Sequence, residues 1–108
     1  MNFAYSFYVK SINGNWSDQL LARTVTVPGA NHTRQDMVTT APVTELALPS
    51  GVVTSLVIMS SDAIEVCLNR SVERIVVKNA FAVIGTEVTA VEVYAPIGTT
   101  LTVFSVGE

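Results

Sequence analysis

The chain has 108 residues and a net charge of −3, with six basic residues spread along its length. That length suits one domain with its own core. Scattered Lys and Arg exclude a nucleic-acid surface, which needs clustered positive charge to displace counterions from phosphates. No stretch approaches the roughly 20 consecutive apolar residues of a membrane-spanning helix. The expectation is a single β domain over 1–108, with no nucleic-acid and no membrane partner.

Val, Ile and Thr make up one third of the chain, and good helix formers are scarce. β-branched side chains are stiff at χ1 and fit a pleated, half-buried surface. Only 14% of residues are charged, against about 25% in a typical soluble domain. Such a β domain faces water with Thr, Ser and Ala, or faces another protein. The lone Cys67 cannot form an internal disulfide and reads as a small buried hydrophobe. Met1-Asn2-Phe3-Ala4-Tyr5 has neither the basic start nor the apolar run of a secretory signal, so synthesis in a reducing cytoplasm is expected.

In chain order, residues 3–12 alternate in the strand period: Phe3, Tyr5, Phe7 and Val9 on one face, Ala4, Ser6, Tyr8 and Lys10 on the other. Asn13-Gly14 then signals a two-residue hairpin turn, because both centres of a type I′ turn need positive φ. The return strand is expected over 20–27, with a short helical turn at Ser17–Leu21 as the weaker reading. Residues 28–42, opened by Pro28-Gly29 and closed by Pro42, have little periodicity and read as an irregular loop or arm. Further strands are expected over 43–48, 52–59, 63–69, 72–78, 80–85, 88–95 and 99–106. They are separated by Pro49-Ser50-Gly51, Asn69-Arg70-Ser71, Gly85-Thr86 and Pro96-Ile97-Gly98.

One pattern occurs twice. Val53–Ile58 followed by Ile64–Leu68 matches Val88–Val93 followed by Leu101–Ser105, each read as a hairpin opening on Val-Thr. Ile64, Val66 and Leu68, and likewise Leu101, Val103 and Ser105, are expected to face inward. Phe104 and Val106 are too apolar for open water, so their face is expected to be covered as well. The fold class is all-β: an antiparallel β-sandwich, jelly-roll-like or Ig-like, of about eight or nine short strands, with a small barrel as the alternative.

Little in the chain carries chemistry. His32 is the only histidine, and no Gly-x-Ser-x-Gly elbow supplies a nucleophile to it. One His and one Cys make no zinc site, no Asp-x-Asp-x-Asp loop suggests calcium, and no glycine-rich loop cradles phosphate. Glu65, Glu73 and Glu92 stand at alternating strand positions, where a charge usually marks the solvent face or guards an edge. Asn15-Trp16-Ser17, Asn31-His32-Thr33 and Asn69-Arg70-Ser71 have the glycan-acceptor pattern, read as coincidence in a Ser/Thr-rich chain. The expectation is a protein without enzyme activity, catalytic residues, cofactor or metal.

The aromatics are more telling, since Phe3, Tyr5, Phe7, Tyr8 and Trp16 crowd the first sixteen residues. Aromatics on both faces of one strand place at least one outside the core, where Tyr and Trp dominate contact energies. The candidate interface is therefore Phe3, Tyr5, Tyr8 and Trp16, with His32 and Arg34; the irregular 28–42 segment, or the N-terminal strand, is the candidate for an arm that orders only on docking. In an alternative reading Tyr5, Tyr8 and Trp16 form a stacking platform for sugar rings in a carbohydrate- or receptor-binding module.

The stretches Pro49–Ser61 and Gly85–Tyr94, within a span of about 43–106, resemble small acidic Thr/Val-rich virion proteins of tailed bacteriophages. In style the chain is similar to capsid decoration (cement) proteins and to small head, neck or tail accessory proteins. The resemblance implies a structural homo-oligomer, made in the host cytoplasm and residing in the virion. Its implied work is to stabilise the phage head by bridging copies of the major capsid protein or other virion proteins.

Overall fold

Strands form wherever β-branched residues recur at alternate positions, and the computed structural model, which describes residues 2–10, 19–28, 31–49 and 52–107, is all-β and antiparallel. Its strands are β1 (Asn2–Lys10), β2 (Gln19–Pro28), β3 (Asn31–Val38), β4 (Val43–Glu45), β5 (Val53–Leu68), β6 (Ile75–Val88), β7 (Val91–Tyr94) and β8 (Thr100–Gly107). β1 and β2 make a two-stranded sheet of their own, in register from Asn2 opposite Pro28 to Lys10 opposite Gln19. The expected antiparallel return is there; Asn13-Gly14, Trp16 and the start of the alternative helical turn lie outside the described residues, and Gln19–Leu21 are strand.

The other six strands share one curled sheet, ordered β3-β8-β5-β7-β4, with β6 on the far side of β5. It is better seen as four long tracks. β7 and β8 run end to end along one side of β5, opposite Leu68–Glu65 and Ser60–Val53 respectively. β4 and β3 run end to end in the same way beside β7 and β8. β6 follows β5 from Val53 to Val66. Every track is interrupted at the same level, at 39–42, 95–99, 60–62 and Asn79, and there the sheet folds over into a half-barrel.

Two sequence expectations change here. The repeated pattern is not a pair of hairpins: Val53–Leu68 is one bent strand, and the second copy is spread over the end of β6, β7 and β8. The two copies are each other's antiparallel partners, with Ile58 opposite Val103 and Val66 opposite Val93. Ser60-Ser61-Asp62 resembles a turn but forms a bulge, where β5 advances from Met59 to Ala63 while β6 covers only Lys78 to Ala80. A bulge bends a strand and strengthens its twist without reversing it. The strands are thus longer than expected, sixteen residues for β5 and fourteen for β6. Six of them form a single sheet, so a sandwich of two stacked sheets is not what the hydrogen bonding describes.

The second change is at 28–42. Residues 31–38 are a regular strand paired along their length with β8. Burial alternates strictly, Asn31, Thr33, Gln35 and Met37 being half-buried and His32, Arg34, Asp36 and Val38 exposed. The period was present, but polar residues fill both faces and leave no hydrophobic signal.

The core lies inside the curl. Leu56, Ile58, Val66, Val91, Val93 and Leu101 have no exposed surface, and Ile64, Val77, Val53 and Val103 are nearly as buried. Each such side chain contributes roughly 1.5–3 kcal/mol by leaving water. The inward assignments for Ile64, Val66, Leu68, Leu101, Val103 and Ser105 agree with the observed burial, as does the burial of Cys67.

Candidate interaction surface

Directly paired residues of adjacent strands share a face, so the register gives, row by row, the face of the sheet turned away from the core, on which Val106 and Ser55 are nevertheless fully buried. One row is His32, Val106, Ser55 and Ile84; the next Arg34, Phe104, Val57 and Ala82; the third Asp36, Thr102, Met59 and Ala80. Across the bend the outer row is Val43, Tyr94, Glu65 and Val76. This surface is polarised. Its β3 end carries the charges, with Arg34 paired to Asp36 at 3.4 Å and Thr102 Oγ1 donating to Asp36 at 2.9 Å. Its β5–β6 side is more apolar and open, with Met59 56% exposed and Ala80 and Ala82 exposed beside it; Val76, 65% exposed, stands beyond the exposed Lys78. Phe104 is half-buried and Val106 fully buried, in line with the covered face expected for them.

The structure divides the sequence-derived interface residues. Phe3, Tyr5 and Tyr8 stand opposite Val27, Val25 and Ala22 in the β1–β2 sheet. Trp16 is outside the described residues. His32 and Arg34 belong to the six-stranded sheet, both exposed, with the His32 ring 6.3 Å from that of Phe104 at a 35° tilt. His32 and Arg34 are therefore strand residues of an ordered face and do not sit on a loop.

Sequence reasoning missed a cluster beyond the bend. A shallow groove of about 270 Å³ is lined by Ala63, Ile64, Glu65, Val76, Tyr94, Ala95 and Pro96. The Arg74 guanidinium lies 3.9 Å over the Tyr94 ring and 3.4 Å from the Glu65 carboxylate. The Tyr94 hydroxyl donates to Glu92 at 3.1 Å. That hydrogen bond is the main reason the phenol's pKa is raised above its ordinary 10.0; desolvation and the Glu92 charge push the same way, and Arg74 opposes them. The alternation of Glu92 and Tyr94 was readable, but nothing local announces that residues 65 and 74 reach them. The cluster holds a cation, a phenol and two carboxylates, each already engaged, and so suits recognition more than proton transfer. Among the described residues no three His, Cys, Asp or Glu side chains are grouped to hold a metal ion.

Asn69 is engaged as well. Its side-chain oxygen accepts from Thr89 N at 2.7 Å and its amide donates to Glu87 O at 3.1 Å. No protein-family model matches this chain, and no curated protein or solved structure matches it.

Proposed function

We propose that this protein is a non-enzymatic structural module that works by being held against other protein surfaces, as a capsid decoration protein of a tailed phage does. The observation that carries the reading is the exposed apolar strip of Met59, Ala80 and Ala82, continued by half-buried Val57, on the outside of the sheet. Single exposed apolar residues need no explanation, but a contiguous strip rimmed by polar residues marks an interaction site. On a capsid each bound copy buries this strip against subunits, and repeated contacts across a lattice add avidity. The half-barrel, open between β3/β4 and β6, is the finer architecture we assign in place of a sandwich.

The test is co-sedimentation of the purified protein with decoration-free shells of the phage that encodes it. Saturable binding, lost in Met59→Asp, supports the reading; failure to bind shells at any salt concentration overturns it. A ligand-binding reading has one feature in its favour, the groove beside Tyr94. Arg74 already covers the ring face on which a sugar would stack, which places that reading second.

A further inference from the structure

Among the described residues the six-stranded sheet has two unpaired edges, and the two are built differently. At one edge β3 displays His32, Arg34 and Asp36, and β4 is three residues long with Glu45 at its end and Pro42 just before it. Charges, prolines and short strands are the usual means of keeping an edge from pairing with another chain. At the other edge β6 runs fourteen residues and, among the described residues, pairs only with β5. Its charges are Lys78 and Glu87, and the eight residues between them, Asn79 to Thr86, contain no charge and no proline. Read from the register with β5, its outer-face residues are Val76, Lys78, Ala80, Ala82 and Ile84, next to Val57 and Met59. Asn79 and Gly85, both at positive φ, bracket the run Ala80-Phe81-Ala82-Val83-Ile84.

Between those points the edge is uncharged and β-prone, and such an edge is a template for a further strand. We propose that β6 pairs antiparallel with β6 of a second copy, joining two curled sheets into one continuous sheet about a twofold axis. Three observations choose this occupant. The edge is self-complementary in charge: antiparallel pairing centred near Ala82 brings the Lys78 end of one strand to the Glu87 end of the other, whereas parallel pairing would set Lys78 on Lys78 and Glu87 on Glu87. Head-to-tail joining of β6 to β3 would instead lay Arg34 and Asp36 along an apolar edge. A twofold contact also closes, using the same patch on both copies and leaving no growing end. The apolar strips of the two copies then become neighbours and double the surface available to a partner.

The experiment is sedimentation velocity on the full chain at micromolar concentrations, with Ala82→Lys and Ala82→Glu. Ala82 is exposed, so both variants should keep the wild-type circular dichroism and unfolding midpoint. The expected result is a wild-type dimer, monomers for each variant alone, and a restored dimer when the two are mixed. A wild-type monomer overturns the proposal, and so does a dimer that Ala82→Lys leaves intact. The outcome is separable from capsid docking on the wild-type chain, because Ala82 lies in the docking strip: a wild-type monomer that binds shells removes the pairing and leaves the function, while a wild-type dimer that ignores shells does the reverse.

Discussion

Asn69 stabilises the β5–β6 connection in two ways. With Arg70 it occupies the left-handed region, at φ 55° and 60°, and Ser71 N donates to Leu68 O at 3.0 Å, which is the geometry of a type I′ turn. Asn tolerates that conformation better than other side chains do. Its backbone N–H donates to Ala90 O, and its side chain binds Glu87 O and Thr89, tying the turn to the two-residue link between β6 and β7. Asn69→Ala should lose both the conformational fit and the side-chain bonds, costing about 2–4 kcal/mol in urea unfolding. Asn69→Gly restores the backbone freedom and should cost roughly half as much; equal losses would show that backbone conformation matters little. Tyr94 offers a second test. Its neutral phenol is the form that donates to Glu92, and its folded pKa lies above the unfolded value of about 10. The stabilisation is therefore complete below about pH 10 and is lost as pH rises through the folded pKa. In a 295 nm difference titration of wild type against Tyr94→Phe, the phenol should ionise above its ordinary value, and Glu92→Gln should bring it back down.

At the scale of elements, the bend is where four long strands must change direction together, and two threonines hold it. Thr39 and Thr99 are almost wholly buried. The strand bonds continue across the break through Thr39 N to Thr99 O and Gly98 N to Thr39 O, both 2.9 Å. Thr39 Oγ1 donates to Pro96 O at 2.7 Å and accepts from Thr99 N at 3.0 Å. Thr99 Oγ1 stands 2.7 Å from the same carbonyl and 3.2 Å from the Asp62 carboxylate, linking the knot to the β5 bulge. Thr39→Val keeps the shape but removes the partner of buried polar groups, so a loss of about 2 kcal/mol is expected; an unchanged unfolding midpoint would mean the knot is decorative. This corner also explains what could be read in advance. Alternation along 64–68 and 101–105 reported the inward face correctly, because that face is largely apolar. Whether Ser60-Ser61-Asp62 reverses the chain or merely bends it was not legible, since turns and bulges recruit the same small polar residues. Nor was β3 legible, with polar residues on both of its faces. The Tyr94–Arg74–Glu65 cluster was hidden for another reason: it exists only because β5, β6 and β7 converge from distant parts of the chain.

For the molecule as a whole, the hydrogen bonding divides the described strands into unequal parts. β5 is bonded on both sides along most of its length, to β6 on one and to β7 and β8 on the other, and it contributes Leu56, Ile58, Ile64 and Val66 to the core. Among the described residues β1 and β2 bond only to each other, and a two-stranded hairpin is marginally stable in water. Opening β5 requires dismantling the whole curl, so its amides should exchange only through global unfolding. Opening β1–β2 breaks no ladder of the larger sheet. Hydrogen exchange followed by mass spectrometry should therefore find peptides from 2–10 and 19–28 exchanging at least about 100-fold faster than those from 53–68, a ratio equivalent to roughly 3 kcal/mol of opening free energy. The same measurement on shell-bound protein localises the contact. If the strip on β5 and β6 is what docks, added protection should appear at 75–84 beyond any that β6 pairing already gives the unbound protein, and the already protected amides of β8 should change little. Protection appearing only in 2–10 would move the contact to the β1–β2 sheet and its aromatics, and would show that the apolar strip does some other work.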